Sequence, residues 1–278
     1  MTIDLYSGIF AAGVTIGVVL AVVAQIRSAT SWRWWAVPAF ALGWLAAMVA
    51  ALSRLDELGE GGSLTAHIVQ HVALGDVAAP LLLLGLPPAA GGALGAWYAR
   101  ATGGGGRGAR VLAAVLSPLG AAALWIAATF FWLVPAIHRS AIPDGPVHLL
   151  DHLSFLVFGL LLWLAVFDMR EGTRVTDWDS FVRSLRTCDL PWWGRHGYAM
   201  ATRVALIPAI AAIWILPSDA YFLPGQTPPG GLTRHEDQVQ AASMMLGFEI
   251  LLFVASLILG FVFAALAEGR ERASAEPP

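Results

Sequence analysis

The chain has 278 residues, is 58% hydrophobic and only 13% charged, and has a mean hydropathy of +0.69. A soluble domain carries about twice that charge fraction, so the bilayer is the expected solvent, and the net charge of −3 does not suggest a nucleic-acid partner. The sequence contains no lysine, which excludes a lysine nucleophile, and its one cysteine, Cys188, excludes an intrachain disulfide or a CxC copper clasp.

A bilayer core of about 30 Å needs roughly 20 apolar residues per helix, and the sequence has room for seven. Span one is expected over Tyr6 to Ile26; it lacks a basic leader and reads as a span rather than a cleaved signal. Trp32, Trp34 and Trp35 form an aromatic belt before span two, Trp35 to Leu52. An acidic loop, Ser53 to Leu64, leads to span three, Thr65 to Leu86, which Pro87 and Pro88 end. A Gly-rich loop with Arg100, Arg107 and Arg110 follows, its Gly103 to Gly106 run a flexible connector. Span four is expected over Val111 to Trp132, then a short loop with Pro135, His138, Pro143 and Pro146, then span five over Val147 to Phe167. A polar loop, Asp168 to Gly197, carries Arg170, Arg174, Arg183, Arg186 and Arg195. Span six, Tyr198 to Leu216, holds Pro208 as an expected kink; span seven runs from Asp237 to Ala267. Residues 1–267 read as one seven-helix membrane domain, and residues 268–278 as a disordered cytoplasmic tail.

Arginine placement sets an expected orientation. Arg54, Arg139 and Arg234 fall on one side and the remaining 13 of 16 arginines on the other, with Arg203 counted at the edge of span six. Positive charge marks the cytoplasmic side, so the N-terminus is expected outside and the C-terminus inside.

The histidines then sort to one face. His67, His71, His138, His148, His152 and His235 all fall at the outer side, and only His196 inside. His67 and His71 are four apart, as are His148 and His152, so each pair shares one helix stripe. Gln70 lies beside the first pair and Asp151 beside the second, while His235 and Asp237 open span seven. An i, i+4 histidine pair can chelate one metal or give one ligand to each of two sites. Imidazole suits copper, zinc, iron and nickel; a thioether from Met244 or Met245 would favour Cu(I). Asp151 is read either as a ligand neighbour or as an acceptor that orients a ligating imidazole. The bland alternatives are wetted interfacial histidines and packing methionines; two pairs and a His–acid mouth on one face outweigh the first.

Two acids lie inside spans. Asp76 and Glu249 sit about a dozen residues in, roughly 16–18 Å deep. An acid there costs at least about 2.5 kcal/mol unless paired, protonated or hydrated. The two are expected either to share a proton or to find separate polar partners, and to mark a proton or cation path.

These residues resemble the CtaG-type cytochrome c oxidase assembly factors of bacteria. The likeness rests on His67-Ile-Val-Gln70-His71 with Pro80 and Gly85, on Phe131-Trp132-Leu133-Val-Pro135, on His148-Leu-Leu-Asp151-His152 with Phe155, Gly159 and Trp163, and on Asp237-Gln238. It covers residues 5 to 267. It implies a multi-pass protein of the bacterial inner membrane that helps mature the oxidase by handling copper, with oxidase subunits or another copper chaperone as partners and a homo-oligomer as an option. His67, His71, His148, His152 and Asp237 would then be the functional positions. The chain departs from the pattern at Leu133, where the family has histidine, and at Asp151, where it has glutamate; His138 or Met245 is the candidate substitute for the missing histidine. On this reading the chain is not an enzyme, and copper, as Cu(I), is its cofactor or cargo. Three alternatives stand beside it: a copper or proton permease using Asp76 and Glu249, an intramembrane zinc hydrolase, and a bis-histidine haem protein. Proteoliposome uptake, lipid-amide hydrolysis and a Soret band would reveal them respectively.

Overall fold

In the computed structural model residues 5–141, 145–167, 192–217 and 220–275 are described, and among them the architecture is all-helical. The elements are α1 (Leu5–Ile26), α2 (Ala36–Leu52), α3 (Arg54–Glu60), α4 (Leu64–Val72), a π-helical turn (Ala73–Ala78), α5 (Ala79–Leu84), α6 (Pro88–Thr102), α7 (Arg107–Val115), α8 (Pro118–Trp132), α9 (Pro135–Ala141), α10 (Gly145–Phe167), α11 (Trp192–Val204), α12 (Ile207–Ile215) and α13 (Arg234–Ala275). Among the described residues five helical stretches are long and apolar enough to cross a membrane: Leu5–Ile26, Leu64–Leu84, Gly145–Phe167, Trp193–Ile215 and Arg234–Val262. Two bent pairs, α2 with α3 at 41° and α7 with α8 at 66°, bring the number to seven if each pair is one span.

Several expected loops are helical. The acidic stretch after α2 forms α3, because Ser53 caps it by accepting from the Leu55 N–H at 3.1 Å and Asp56 and Glu57 occupy its first turn, where the helix dipole favours negative charge. The expected Gly-rich loop is largely α6, opened by Pro88 at its first position and rich in alanine; Gly103–Gly106 is the link to α7. Span four is broken rather than straight. Ser117 ends α7 and starts α8 by accepting from the Gly120 N–H at 3.1 Å, and Pro118 cannot continue the preceding helix. His138 lies on a short helix, α9, where a loop was expected. Span six breaks at Ala205 and Leu206, just before Pro208. The last helix extends to Ala275, through residues 268–275 where a disordered tail was expected, since this Ala, Glu and Arg-rich stretch favours helix. The arginines of the polar loop at 170, 174, 183 and 186, and Cys188, lie outside the described residues.

The axis of the bundle is the run α4–π–α5. Pro80 has no N–H to give the Asp76 carbonyl, and its ring would collide with that carbonyl in a regular helix. The chain widens into a π turn instead, where the Ala79 N–H reaches the Leu74 carbonyl. The Gly75 carbonyl, which Ala79 would otherwise take, is left for the indole of Trp163, which donates to it at 3.0 Å. Gly75 and Gly159 let this turn and α10 meet backbone to backbone: a Cβ on Gly159 would lie 2.8 Å from the Gly75 oxygen and 2.9 Å from its Cα. Gly159→Ala is therefore expected to cost about 1–3 kcal/mol through overpacking, read as a lower unfolding midpoint in detergent. An unchanged midpoint would mean that the two helices part without cost.

Around this axis the helices bury small, aliphatic and aromatic side chains and turn other large apolar side chains outward, as in Leu20, Leu42, Ile250 and Phe261. Trp34 is 84% exposed, whereas Trp32 turns inward and donates to the Gly85 carbonyl at 3.0 Å.

Candidate metal centre

The N-terminal ends of α4, α10 and α13 lie together. Asp237 in the first turn of α13 accepts from the Leu64 N–H at 2.6 Å, the Thr65 N–H at 3.3 Å and the Ser63 hydroxyl at 3.0 Å, while Thr65 Oγ1 donates to the Asp237 carbonyl at 2.9 Å. The orphan N–H groups that open α4 are thus satisfied by a carboxylate more than 170 residues away in sequence. Gln70 fixes the other flank, donating to the Ala50 carbonyl at 2.8 Å and Asp56 Oδ1 at 3.0 Å. Gln238 donates to the carbonyls of Ile213 and Leu216 and so ties α13 to the end of α12.

Held this way, α4 presents His67 and His71 to Asp151 of α10. A single carboxylate oxygen, Asp151 Oδ2, lies 3.1 Å from His67 Nε2 and 3.1 Å from His71 Nε2. A carboxylate accepts, so both imidazoles place their proton on Nε2 and leave the Nδ1 lone pair bare. His67 Nδ1, His71 Nδ1, His152 Nε2 and Asp151 Oδ1 are all buried and have no hydrogen-bond partner among the described residues. One ligand atom from each of His67, His71 and His152 lies within 4.8 Å of the other two. Three imidazoles this close, each with an unspent buried nitrogen, fit a metal ion that binds three imidazoles, and buried polar atoms without partners otherwise carry a large cost. Phe155 stacks on the His71 ring at 3.9 Å and 16°, which shields one face of the group.

His148 and His138 complete the wall. The His148 ring lies 4.3 Å from that of His152 and 5.2 Å from that of His67; its Nδ1 is 3.8 Å from Glu60. His138 reaches in from α9 with its ring 5.0 Å from that of His67 and 5.8 Å from that of Tyr221. Burial, with His67 close by, holds the His138 pKa well below the ordinary histidine value, so it faces the group as a neutral imidazole. Tyr221 is pushed up to about 12 by burial and donates its hydroxyl to the Leu133 carbonyl at 3.2 Å. Leu133 itself is buried at the end of α8.

The remaining expected ligands separate from the group. Asp237 is a helix cap, with both carboxylate oxygens engaged. His235 is exposed at the start of α13. Gln70 is turned toward α2 and α3. Met244 is 49% exposed on the outer face of α13, because the helical turn that buries Met245 carries its neighbour about 100° away. Met245 lines a narrow cavity beneath His71.

The family model of the cytochrome c oxidase caa3 assembly factor (Caa3_CtaG) matches residues 17–266, most of the chain. This chain belongs to that assembly-factor family. No curated protein and no solved structure matches it. For this caa3 assembly factor the quoted sequence motifs acquire a spatial meaning: the α4 and α10 histidines and Asp151 form one buried group, and Trp132 secures it by donating to Ser154 at 2.8 Å, whose hydroxyl donates to the Asp151 carbonyl at 2.7 Å.

The in-span acids resolve into one further assembly. Asp76 and Glu249 converge on Arg203 of α11, with Arg203 Nη1 at 2.6 Å from Asp76 Oδ1 and at 3.2 Å from Glu249 Oε2. Arg203 was counted at the cytoplasmic edge; it is 3% exposed and sits inside the bundle. Its signal was arithmetic: two acids within apolar spans call for a cation at similar depth.

The cap and the ligand readings of Asp237 separate by experiment. Asp237→Ala is expected to lower stability by about 1–3 kcal/mol, the cost of an unsatisfied buried N–H, while the protein that remains folded takes up added metal as the unaltered protein does. Metal loss with an unchanged unfolding midpoint would return Asp237 to the ligand set.

Proposed function

We propose that this assembly factor holds copper at the extracytoplasmic end of its bundle, in the bacterial inner membrane, and passes it to the maturing oxidase. His67, His71 and His152 would hold the ion, with His138 and His148 as neighbouring imidazoles through which it is taken up or given away. The observation that carries this reading is the convergence of three buried histidines whose ligand atoms lie within 4.8 Å of one another. Imidazole accepts several metals; the family's task in cytochrome c oxidase assembly favours copper among them. Bound copper would be the cargo. The residues do the rest: Asp151 fixes the tautomer of two ligands, Phe155 walls one side, and the Asp237 cap sets the angle of α4. His138 supplies an imidazole beside His67, where the chain has Leu133 in place of the histidine of the resembled family.

The test is genetic and analytical together. Oxidase purified from a deletion strain should lack copper, wild-type protein should restore it, and a His71→Ala, His152→Ala double variant present at wild-type level should not. Full oxidase copper with the double variant would overturn the proposal.

A further inference from the structure

The triad of Asp76, Arg203 and Glu249 has two acids for one cation. Each of the three is at most 5% exposed, and the guanidinium lies between the rings of Trp125 and Trp163, at 5.3 and 5.7 Å from their centroids. With both acids ionised this apolar region would carry an uncompensated negative charge, which is expensive when buried. One carboxyl therefore holds a proton. Asp76 makes the short contact with Arg203, 2.6 Å, against 3.2 and 3.3 Å for the two oxygens of Glu249. The shorter charge-assisted bond favours Asp76 as the ionised partner, which puts the proton on Glu249. Asp76 and Glu249 also line the cavity beneath His71, together with Thr129 and Met245. The titratable groups lining that cavity are His71, Asp76 and Glu249.

We propose that Glu249 is a resident proton site, joined by this cavity to the histidine group, and that it releases its proton when a monovalent cation is seated on the histidines. The O–H bond of the Glu249 carboxyl breaks, the proton passes to water, and the carboxylate left behind offsets the incoming charge. One cation in and one proton out leaves the buried charge unchanged. The release step rests on the copper reading above; the proton on Glu249 in the cation-free protein does not.

Infrared spectroscopy of the full chain in lipid bilayers, prepared with glutamate carrying 13C at the side-chain carboxyl, tests both steps. The expected result is a protonated-carboxyl C=O band that shifts with the label, is absent from Glu249→Gln, and fades as Cu(I) is added in proportion to the copper retained. A spectrum without a label-sensitive band, or one in which the band persists in Glu249→Gln, overturns the proton site. Copper retained with the band unchanged overturns the linkage. If no copper is retained, the copper reading and the linkage fall together, while the cation-free band still decides the proton site.

Discussion

Arg203→Met is expected to be the most damaging single substitution in the chain. It removes a cation that touches both in-span acids and leaves Asp76 and Glu249 facing each other in an apolar surrounding. Breaking a buried ion pair from one side costs about 3–5 kcal/mol. The loss should appear as a large drop in the unfolding midpoint in mild detergent, together with poor membrane accumulation. Arg203→Lys keeps the charge but shortens the side chain whose Nη1 touches both carboxyls, and should fall between the unaltered protein and Arg203→Met. The double change Arg203→Met, Asp76→Asn should recover part of the loss, because it removes one stranded carboxyl along with the cation. If Arg203→Met is as stable as the unaltered protein, the triad is not holding α11, α13 and the π turn together.

The second large effect is expected at Asp151. Its Oδ2 is the common acceptor for His67 and His71. Asp151→Asn preserves shape but removes the charge that fixes both imidazoles with Nε2 protonated and Nδ1 bare. Loss of such a supporting carboxylate costs about 10–100-fold in metal affinity. A chelator competition with Cu(I) should show that weakening, with the helical content and the unfolding midpoint largely retained. Equal affinity in Asp151→Asn would mean that the two imidazoles are ordered by something else.

How much of this was legible follows from the range of each interaction. The i, i+4 pairs His67–His71 and His148–His152 are properties of a single helix, so sequence spacing alone placed each pair on one stripe. Their convergence depended on α4 and α10 meeting at the same end, which orientation and the family likeness suggested and the Gly75–Gly159 crossing makes possible. Asp237 was read as a ligand because a carboxylate beside a histidine looks the same whether it binds a metal or caps a helix; the partners that engage it as a cap, Ser63, Leu64 and Thr65, are distant in sequence. Arg203 was misplaced because span six was started at Tyr198, whereas the helix starts at Trp192 and carries Arg203 about three turns in. The π turn around Asp76 was hidden for a related reason: Pro80 signals an irregularity but not whether the helix kinks, stops or widens. The bends at Pro118 and before Pro208 were readable in kind, though only the second was expected.

On the proposed function, the buried imidazoles of α4 and α10 act as one copper-holding group. The most direct test is the copper content of the purified, reduced protein beside that of His71→Ala and His152→Ala, with folding checked in each. About one copper ion per chain in the unaltered protein, and almost none in either variant, is the expected result for a site sharing three imidazoles. Copper retained at the unaltered level in both variants would contradict it, because no site built on these histidines survives the loss of either.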